Sequence, residues 1–389
     1  MSRFPGVDYY NTEELFSEEE IMVRDSVREF VTSEVLPIIE INYQKSAFPK
    51  DLIPKLAELG IFGMTLPEKY GCAEMNNMSY GLVMQELERG DSGVRSFASV
   101  QSALVMYPIY QFGSEKQKQK WLPKLASAEV IGCFGLTEPD FGSNPGGLVT
   151  KAEKVDGGYK LNGAKMWITN GSIADIAIVW AKLDNLIHGF IVEKEFDGFS
   201  SPEMKEKHSL KASITSELVL DDVFVPDENK LPNTSGLKSA LMCLNQARFG
   251  IAWGVVGSMM ECYNCALDYS KSRIQFNKPI SSFQITQQKL VNMLNEITKA
   301  QLLNWRLAKL KDDNKLKYPQ VSLAKRNNCE QSLIVAREAR EILGANGILS
   351  EYPVMRHAAN LESVKTYEGT HEMHTLILGE DITGMPAFE

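Results

Sequence analysis

The sequence predicts an α+β fold in three successive parts. These are an N-terminal helical domain over residues 1–130, a middle β-barrel or sandwich-like domain over 131–235, and a C-terminal four-helix-bundle domain over 236–389. Three observations carry this prediction. Apolar residues recur at helical spacing at both ends of the chain. Between them, short Val-, Ile- and Thr-rich runs are bounded by turn residues. The length of 389 residues suits two or three domains, and a β unit held between helical regions favours segregated layers over an alternating α/β sheet.

The first helix starts at Ser17, a hydroxyl cap followed by Glu18, Glu19 and Glu20. Val23, Val27, Phe30 and Val31 mark its apolar face, and Pro37 predicts a stop or bend. Segments around 51–60, 78–89, 95–112 and 115–126 follow a similar rhythm. From Ile131 the character changes. Asp156-Gly157-Gly158 turns the chain before Tyr159-Lys160-Leu161, and Ile176–Trp180, Phe190–Val192 and Leu218–Val225 are of strand length. Pro226 and Pro232 flank the loop that returns to helix. The last part reads as long helices over Leu237–Arg273, Gln284–Leu310 and Pro319–Leu343, the last ended by Gly344-Ala345-Asn346-Gly347. Gly250, Gly254 and Gly257 in the first of these would allow close helix packing.

Lys and Arg total 41 and Asp and Glu total 50, a formal net charge of −9. Without a basic block, nucleic acid and anionic membranes are poor partners. The 44% hydrophobic and 23% charged fractions exclude a disordered, collagen-like or disulfide-scaffold chain. Six scattered cysteines suit a reducing compartment and free thiols. No apolar stretch approaches the roughly 20 residues of a membrane span. Met1-Ser2-Arg3-Phe4-Pro5 is neither a signal nor a transit peptide. The expectation is a cytoplasmic protein.

Several chemical motifs fail. There is no Gly-x-Gly-x-x-Gly after a strand and no phosphate loop. Gly90-Asp91-Ser92-Gly93 lies between helical segments with no nearby histidine, which leaves a nucleophilic serine without a base. Cys262 and Cys265 lack a second pair at zinc spacing and read as small helix residues. His371-Glu372-Met373-His374 is one residue short of the His-Glu-x-x-His motif and has no third ligand, so no metal is expected.

Four other segments belong together: Phe134-Gly-Leu-Thr-Glu-Pro-Asp-Phe-Gly-Ser143, Lys165-Met-Trp-Ile-Thr-Asn170, Arg273-Ile-Gln-Phe-Asn-Lys-Pro-Ile280 and Tyr367-Glu-Gly-Thr370. In this order and at these separations the chain resembles the acyl-CoA dehydrogenase flavoproteins over nearly its whole length. Gln85-Glu-Leu-Glu88, Arg95-Ser96, Ser99-Val-Gln-Ser102, Cys243-Leu-Asn245, Ala247-Arg248, Arg326-Asn-Asn-Cys329 and Ile382-Thr-Gly384 are similar to the glutaryl-CoA dehydrogenase subgroup.

The resemblance implies removal of two hydrogens from an acyl thioester, with a carboxylate taking the α-proton and FAD taking the β-hydride. Glu368 matches the base. Alone, a Glu before Gly reads as an exposed turn residue; register with the other segments makes it the catalytic candidate. Such a base needs an apolar pocket that raises its pKa. In the family, its backbone N–H and a flavin ribityl hydroxyl polarise the thioester carbonyl. For FAD, Phe134, Leu136 and Thr137 match contacts to the isoalloxazine ring, and Trp167, Ile168 and Thr169 match its other side. Trp167 by itself reads more readily as a half-buried strand residue. Arg273, Phe276 and Gln284 match residues reaching the FAD pyrophosphate and adenosine from a neighbouring subunit; Glu341, Gly344, Ala345, Thr370 and Glu372 complete that site. Asn277 and Ala345 stand where the family usually has Gly.

For the acyl-CoA substrate, the matching positions are Glu88, Arg95, Ser96, Ser99, Ser143 (on the pantetheine arm), Leu241, Leu244, Asn245, Arg248, Tyr367, Gly369 and Phe388. Arg95 matches the residue that pairs with the distal carboxylate of glutaryl-CoA; alternatively Glu88 and Arg95 pair with each other. An unbroken helix would stack these two, seven residues apart, on one face, but Gly90 and Gly93 allow a break. Val94 replaces the aromatic usual in the subgroup. The implied reaction ends in decarboxylation to crotonyl-CoA, with electrons passed to an electron-transferring flavoprotein by a homotetramer. A short-chain acyl-CoA dehydrogenase or oxidase is the alternative, although Ala387-Phe388-Glu389 is not a peroxisomal signal. A non-catalytic acyl-CoA or flavin-binding scaffold is the remote alternative, set against the intact Glu368.

Overall fold

The computed structural model describes residues 6–387. The leader reading of Met1–Pro5 and the substrate position Phe388 therefore lie outside the described residues.

Helix α1 (Glu18–Phe30) opens on a reciprocal cap: Ser17 Oγ accepts from the Glu20 N–H at 3.3 Å, and the Glu20 carboxylate accepts from the Ser17 N–H at 2.8 Å. Pro37 does not stop the helical run. A π-helical turn over Val31–Val35 leads without a break into α2 (Leu36–Gln44), so Pro37, which cannot donate an N–H, sits just after the wider turn. After α3 (Leu52–Glu58) and α4 (Asn77–Gly90), the same device recurs. Helix α5 (Ser92–Ser99) passes through a π segment, Val100–Met106, into α6 (Tyr107–Phe112), with Pro108 again in the first turn. Helix α7 (Glu115–Ala126) closes this layer.

The middle part holds β1 (Gly132–Gly135), β2 (Lys151–Val155), β3 (Gly158–Thr169), β4 (Ile176–Leu183), β5 (Leu186–Glu193), β6 (Phe199–Ser200) and β7 (Thr215–Pro226) in one seven-stranded sheet. Strand β4 pairs with β1 in parallel, Gly132 opposite Ile176, and with β5 antiparallel, Ile176 opposite Glu193. The path then continues through β2, β3, β7 and β6. Strands β1 and β2, and the extension of β3 to Thr169, lie beyond the apolar runs that mark strands in the sequence. Alternation explains where the sheet packs. Cys133, Ala177 and Val179 point into its own core with Leu161, Phe190 and Leu218, while Phe134, Ile178 and Trp180 point into the large core shared with the N-terminal helices.

The C-terminal part is α8 (Leu237–Ser272), a short hairpin of β8 (Ile274–Gln275) and β9 (Lys278–Pro279), then α9 (Gln284–Asp312), α10 (Tyr318–Ile342), α11 (Val354–Thr366) and α12 (His371–Thr383). Helix α10 packs on each of α8, α9, α11 and α12. Helix α8 lies so close to α4 that a Cβ at Gly257 would sit 1.8 Å from the Gln85 carbonyl, and one at Gly254 would sit 2.2 Å from Glu88 Oε2. The glycines thus seat α8 directly over the buried carboxylates of α4. Among the described residues no helix is long and apolar enough to cross a membrane.

Candidate active site

Glu368 sits in the turn between α11 and α12. Its φ of 54° and the 94° of Gly369 are both left-handed, a conformation that a non-glycine residue holds only when its surroundings enforce it. Two buried cations do so. Lys325 of α10 donates to the Tyr367 and Gly369 carbonyls, each at 2.6 Å, and Arg248 of α8 donates from Nε to the Glu368 carbonyl at 2.7 Å. A Cβ on Gly369 would lie 3.1 Å from both Arg248 Nη2 and His374 Nε2. Glu368 Oε2 is sealed from solvent and has no hydrogen-bond partner.

Burial raises the Glu368 carboxyl above the ordinary glutamate range, opposed by Arg95, Lys325 and Arg248. Burial lowers Lys325 to about 8. Burial, with Lys325 and Arg248 nearby, pushes His374 down to about 2, so its imidazole is neutral. A shielded carboxylate with a raised pKa, set among cations, is suited to accept a proton from a weak carbon acid. His371 faces Glu330 at 3.7 Å while His374 faces Gly369, so the two imidazoles meet different partners.

Behind the base lies the Glu88–Arg95 pair. The helix does break: Asp91 is extended at φ −167°, and its side chain caps α5 by accepting from the Gly93 N–H at 2.7 Å. The break nevertheless leaves Glu88 Oε2 and Arg95 Nε 2.6 Å apart, both buried. Ser92 Oγ donates to the other Glu88 oxygen at 2.8 Å. Arg95 Nη2 meets the Tyr367 hydroxyl, and Ser96 Oγ lies 3.3 Å from that same oxygen. The guanidinium is therefore tied both to Glu88 and to the residue preceding the base. Ser99 is fully buried, with its hydroxyl beside that of Tyr80. On α8, Leu241, Leu244, Asn245 and Arg248 follow one helix face; the first three are half-buried and Arg248 is buried.

Asp91 has a further role that the sequence did not reveal. It accepts from Arg356 Nη1 at 2.6 Å and from Asn360 Nδ2 at 2.9 Å on α11, while Asn360 Oδ1 accepts from the Leu210 N–H at 2.8 Å. All three parts of the chain meet at this network. Lys325 was also missed. The one available signal was its position on the buried stripe of α10, four residues from both Val321 and Cys329.

Phe134 and Leu136 are buried around the end of β1, and Thr137 is half-buried. The Thr137 carbonyl accepts from the Met166 N–H at 2.9 Å. Lys165 Nζ ties the Leu136 carbonyl, at 3.2 Å, to the Glu138 carboxylate, at 2.8 Å. Beside them, the register of β3 on β7 slips between Lys165 and Ile168. Trp167 sits at that slip with φ 64° and is 62% exposed. A large indole turned outward on a strained bulge, with the half-buried residues Thr137 just after β1 and Thr169 at the end of β3, fits a flat ring with a polar edge. Of the expected flavin positions on this strand, Ile168 turns its side chain into the sheet core. Ser143 is exposed on the loop after β1.

The remaining expected positions lie elsewhere. Arg273 ends α8; Phe276 (φ 50°) and Asn277 (φ 62°) turn the hairpin; Gln284 starts α9; all are exposed. Two left-handed central residues match a tight hairpin turn, and Asn tolerates that conformation better than any other non-glycine residue, which accommodates Asn277. Glu341 pairs with Lys289, bringing the end of α10 to the start of α9, and Gly344 and Ala345 follow in an exposed turn. Only Gly344, at φ 60°, needs the left-handed conformation; Ala345 does not. Arg273 lies 25 residues beyond Arg248 on one helix, about 37 Å along its axis. A single chain therefore does not bring Arg273, Phe276, Gln284, Glu341, Gly344 and Ala345 together with Glu368. Thr370, which caps α12 by accepting from the Met373 N–H at 3.2 Å, and the exposed Glu372 stay at the Glu368 end.

Comparison with known proteins agrees with this layout. The chain matches the acyl-CoA dehydrogenase N-terminal domain over residues 17–129, the middle domain over 133–223 and the C-terminal domain over 234–383. It is 37% identical to an acyl-CoA dehydrogenase of Bacillus subtilis (strain 168), over 95% of this chain and 99% of that one. Among solved structures, it is similar to a glutaryl-CoA dehydrogenase from Mycobacterium smegmatis, with 51% identity, 97% of each chain covered and a TM-score of 0.95. A glutaryl-CoA dehydrogenase from the same organism in complex with FADH2 matches at 48% identity over 98% of this chain and 99% of that one, with a TM-score of 0.97. The chain belongs to the acyl-CoA dehydrogenase family of oxidoreductases.

Proposed function

With that membership as the premise, we propose that the protein is an FAD-dependent dehydrogenase of glutaryl-CoA that decarboxylates its product to crotonyl-CoA. Phe134, Leu136, Thr137, Trp167 and Thr169 would hold the flavin ring. When bound, FAD supplies the two-electron acceptor for the hydrogen leaving the β-carbon. Glu368 takes the α-proton; its raised pKa brings it closer to the weak acidity of a thioester α-carbon. Leu241, Leu244, Asn245 and Arg248 offer one helix face to the CoA arm, with Ser143 on the opposite loop. Loss of CO₂ from the unsaturated product leaves its electron pair delocalised into the thioester, and protonated Glu368 returns a proton to the γ-carbon.

The observation that carries the choice of substrate is Arg95. It is a guanidinium 1% exposed, set behind the base and joined to Tyr367, the residue next to it. A buried cation there favours an acyl chain that ends in a carboxylate. The proposed electron acceptor is an electron-transferring flavoprotein. The proposed assembly is a homotetramer, in which the exposed Arg273, Phe276 and Gln284 of one chain would reach the cofactor of another.

One observation favours a second reading. Glu88 already pairs with Arg95 at 2.6 Å, so Arg95 does not need a substrate carboxylate, as a short-chain acyl-CoA dehydrogenase would require. Anaerobic titration of the flavin-loaded protein with glutaryl-CoA and with butyryl-CoA, followed by product analysis, separates the two. Bleaching by glutaryl-CoA with release of CO₂ supports the proposal; bleaching by butyryl-CoA alone replaces it with the second reading. Reoxidation in air against reoxidation by the flavoprotein identifies the acceptor.

A further inference from the structure

Three consecutive carbonyls, those of Tyr367, Glu368 and Gly369, are each held by a buried cation. Lys325 takes the first and third, and Arg248 takes the second. This is an unusual use of a lysine. Lys325 is 1% exposed and has no carboxylate within ion-pair distance among the described residues, although Glu368 acts on it through space. A buried ammonium with no carboxylate in contact is a costly way to tie down a loop, and a neutral donor could make the same hydrogen bonds.

Peptide geometry shows what the arrangement controls. The peptide joining Tyr367 to Glu368 is trans, like every peptide bond described, so its C=O and N–H point in opposite directions. Anchoring the Tyr367 carbonyl on Lys325 therefore turns the Glu368 N–H to the face away from α10. That N–H donates to no acceptor among the described residues. A cation on the carbonyl also draws electron density from the amide, which makes the N–H a stronger donor. The same clamp holds Glu368 and Gly369 in consecutive left-handed conformations, φ 54° and 94°, and these set the direction of the Glu368 side chain.

We propose that Lys325 is a positioning residue for the dehydrogenation. Through the Tyr367 and Gly369 carbonyls it aims both the Glu368 carboxylate and the Glu368 N–H at one acyl thioester, the carboxylate at the α-carbon and the N–H at the thioester oxygen. This inference rests on the dehydrogenase reading given above. It adds that the base and the carbonyl-polarising donor are delivered together by one ammonium that touches neither substrate nor cofactor.

The test uses flavin-loaded wild type, Lys325→Met and Lys325→Gln. Flavin content, thermal unfolding, acyl-CoA affinity, the anaerobic rate of flavin reduction, and the infrared stretch of a ¹³C-labelled thioester carbonyl on the bound ligand are measured for each. In Lys325→Met, flavin content and affinity stay near wild type, reduction slows about 100-fold, as on loss of an oxyanion donor, and the carbonyl band moves back toward its value in water. Lys325→Gln, which keeps a donor but not the charge, falls between the two and gives the same reading if Lys325→Met does not fold. Reduction at the wild-type rate in a folded variant overturns the inference and leaves the dehydrogenase reading intact. So does a slow rate that tracks flavin loss while the carbonyl band of the loaded fraction stays unmoved. Wild type that neither glutaryl-CoA nor butyryl-CoA reduces overturns both.

Discussion

The pocket around Glu368 and the far end of the bundle around Arg273 use the same kinds of residue under opposite conditions. In the pocket, Arg95, Arg248 and Lys325 are buried, and each is held at short range by a carboxylate, a hydroxyl or a carbonyl of the same chain. At the far end Arg273, Phe276, Gln284 and Ala345 are exposed, and Phe276 presents 87% of its surface. Most polar groups of the pocket answer one another within one chain, with the Glu368 carboxylate left unpartnered, whereas the charged, amide and aromatic side chains of the far end face outward. About 37 Å of helix α8 separates the two. One region is built within a single chain; the other stands exposed, and under the proposed function it would reach the cofactor of another chain.

The largest expected effect tests the pocket. Glu368→Gln lowers the rate of flavin reduction by about 10²–10⁴-fold while flavin content and acyl-CoA binding are kept, as stopped-flow absorbance and ligand titration will read. In wild type the acid limb of the rate profile lies above that of an ordinary glutamate. Burial raises the folded-state pKa, and the ionised base is lost as pH falls through it. The same shift means that the ionised carboxylate costs folding free energy above that pKa, a cost relieved toward acid. Glu368→Gln is therefore more thermostable than wild type near pH 8, and the difference vanishes below about pH 4, near the unfolded glutamate pKa.

Arg95→Met should cost about 3–5 kcal/mol of stability because it strands the buried Glu88 carboxylate. Adding Glu88→Gln restores most of that loss. In the double variant glutaryl-CoA turnover stays low and butyryl-CoA turnover persists, which thermal unfolding and paired kcat/KM values will check. Equal loss for both substrates would remove Arg95 from substrate choice.

A smaller effect tests the far end. Arg273→Gln is expected to weaken flavin retention about tenfold or more by removing a charge-assisted contact, with no change in the pKa of Glu368; flavin dissociation on dilution reads this. Retention at the wild-type level would mean that the far end takes no part in holding the cofactor. Gly254→Ala adds a Cβ 2.2 Å from Glu88 Oε2 and should cost about 1–3 kcal/mol as overpacking, measured by chemical denaturation. Asn277→Gly is the mildest test: the hairpin already accepts Asn at φ 62°, so stability and flavin retention change by less than about 1 kcal/mol.

Much of the molecule was legible before its coordinates. The Ser17–Glu20 cap, the three long C-terminal helices and the turn at Gly157 follow from local rules of capping, periodicity and turn chemistry, and each boundary falls within about two residues of its expected place. Strands β1 and β2 were not legible. Gly132–Gly135 carries too little pattern to read, and Lys151–Val155 is polar on its exposed face. The outcome at Pro37 was ambiguous because the following π-to-α change depends on packing that no local rule contains.

The candidate site divides in the same way. Glu368, Arg95 and Trp167 could be singled out because their segments resemble a family pattern in register. Lys325, Asp91, Arg356 and Asn360 could not, since a lysine on a helix or an aspartate between glycines looks ordinary until its partners are placed. The sequence by itself determined which side chains could cap, turn, pack or accept a proton, because those properties reside in a residue and its near neighbours. Only the tertiary structure decided that Lys325 meets the carbonyls of Tyr367 and Gly369, residues 42 and 44 positions away, and that Glu88 and Arg95 remain paired across a broken helix. Electrostatics and hydrogen bonding act over a few ångströms of space, and the folded path of the chain, not its order, sets those distances.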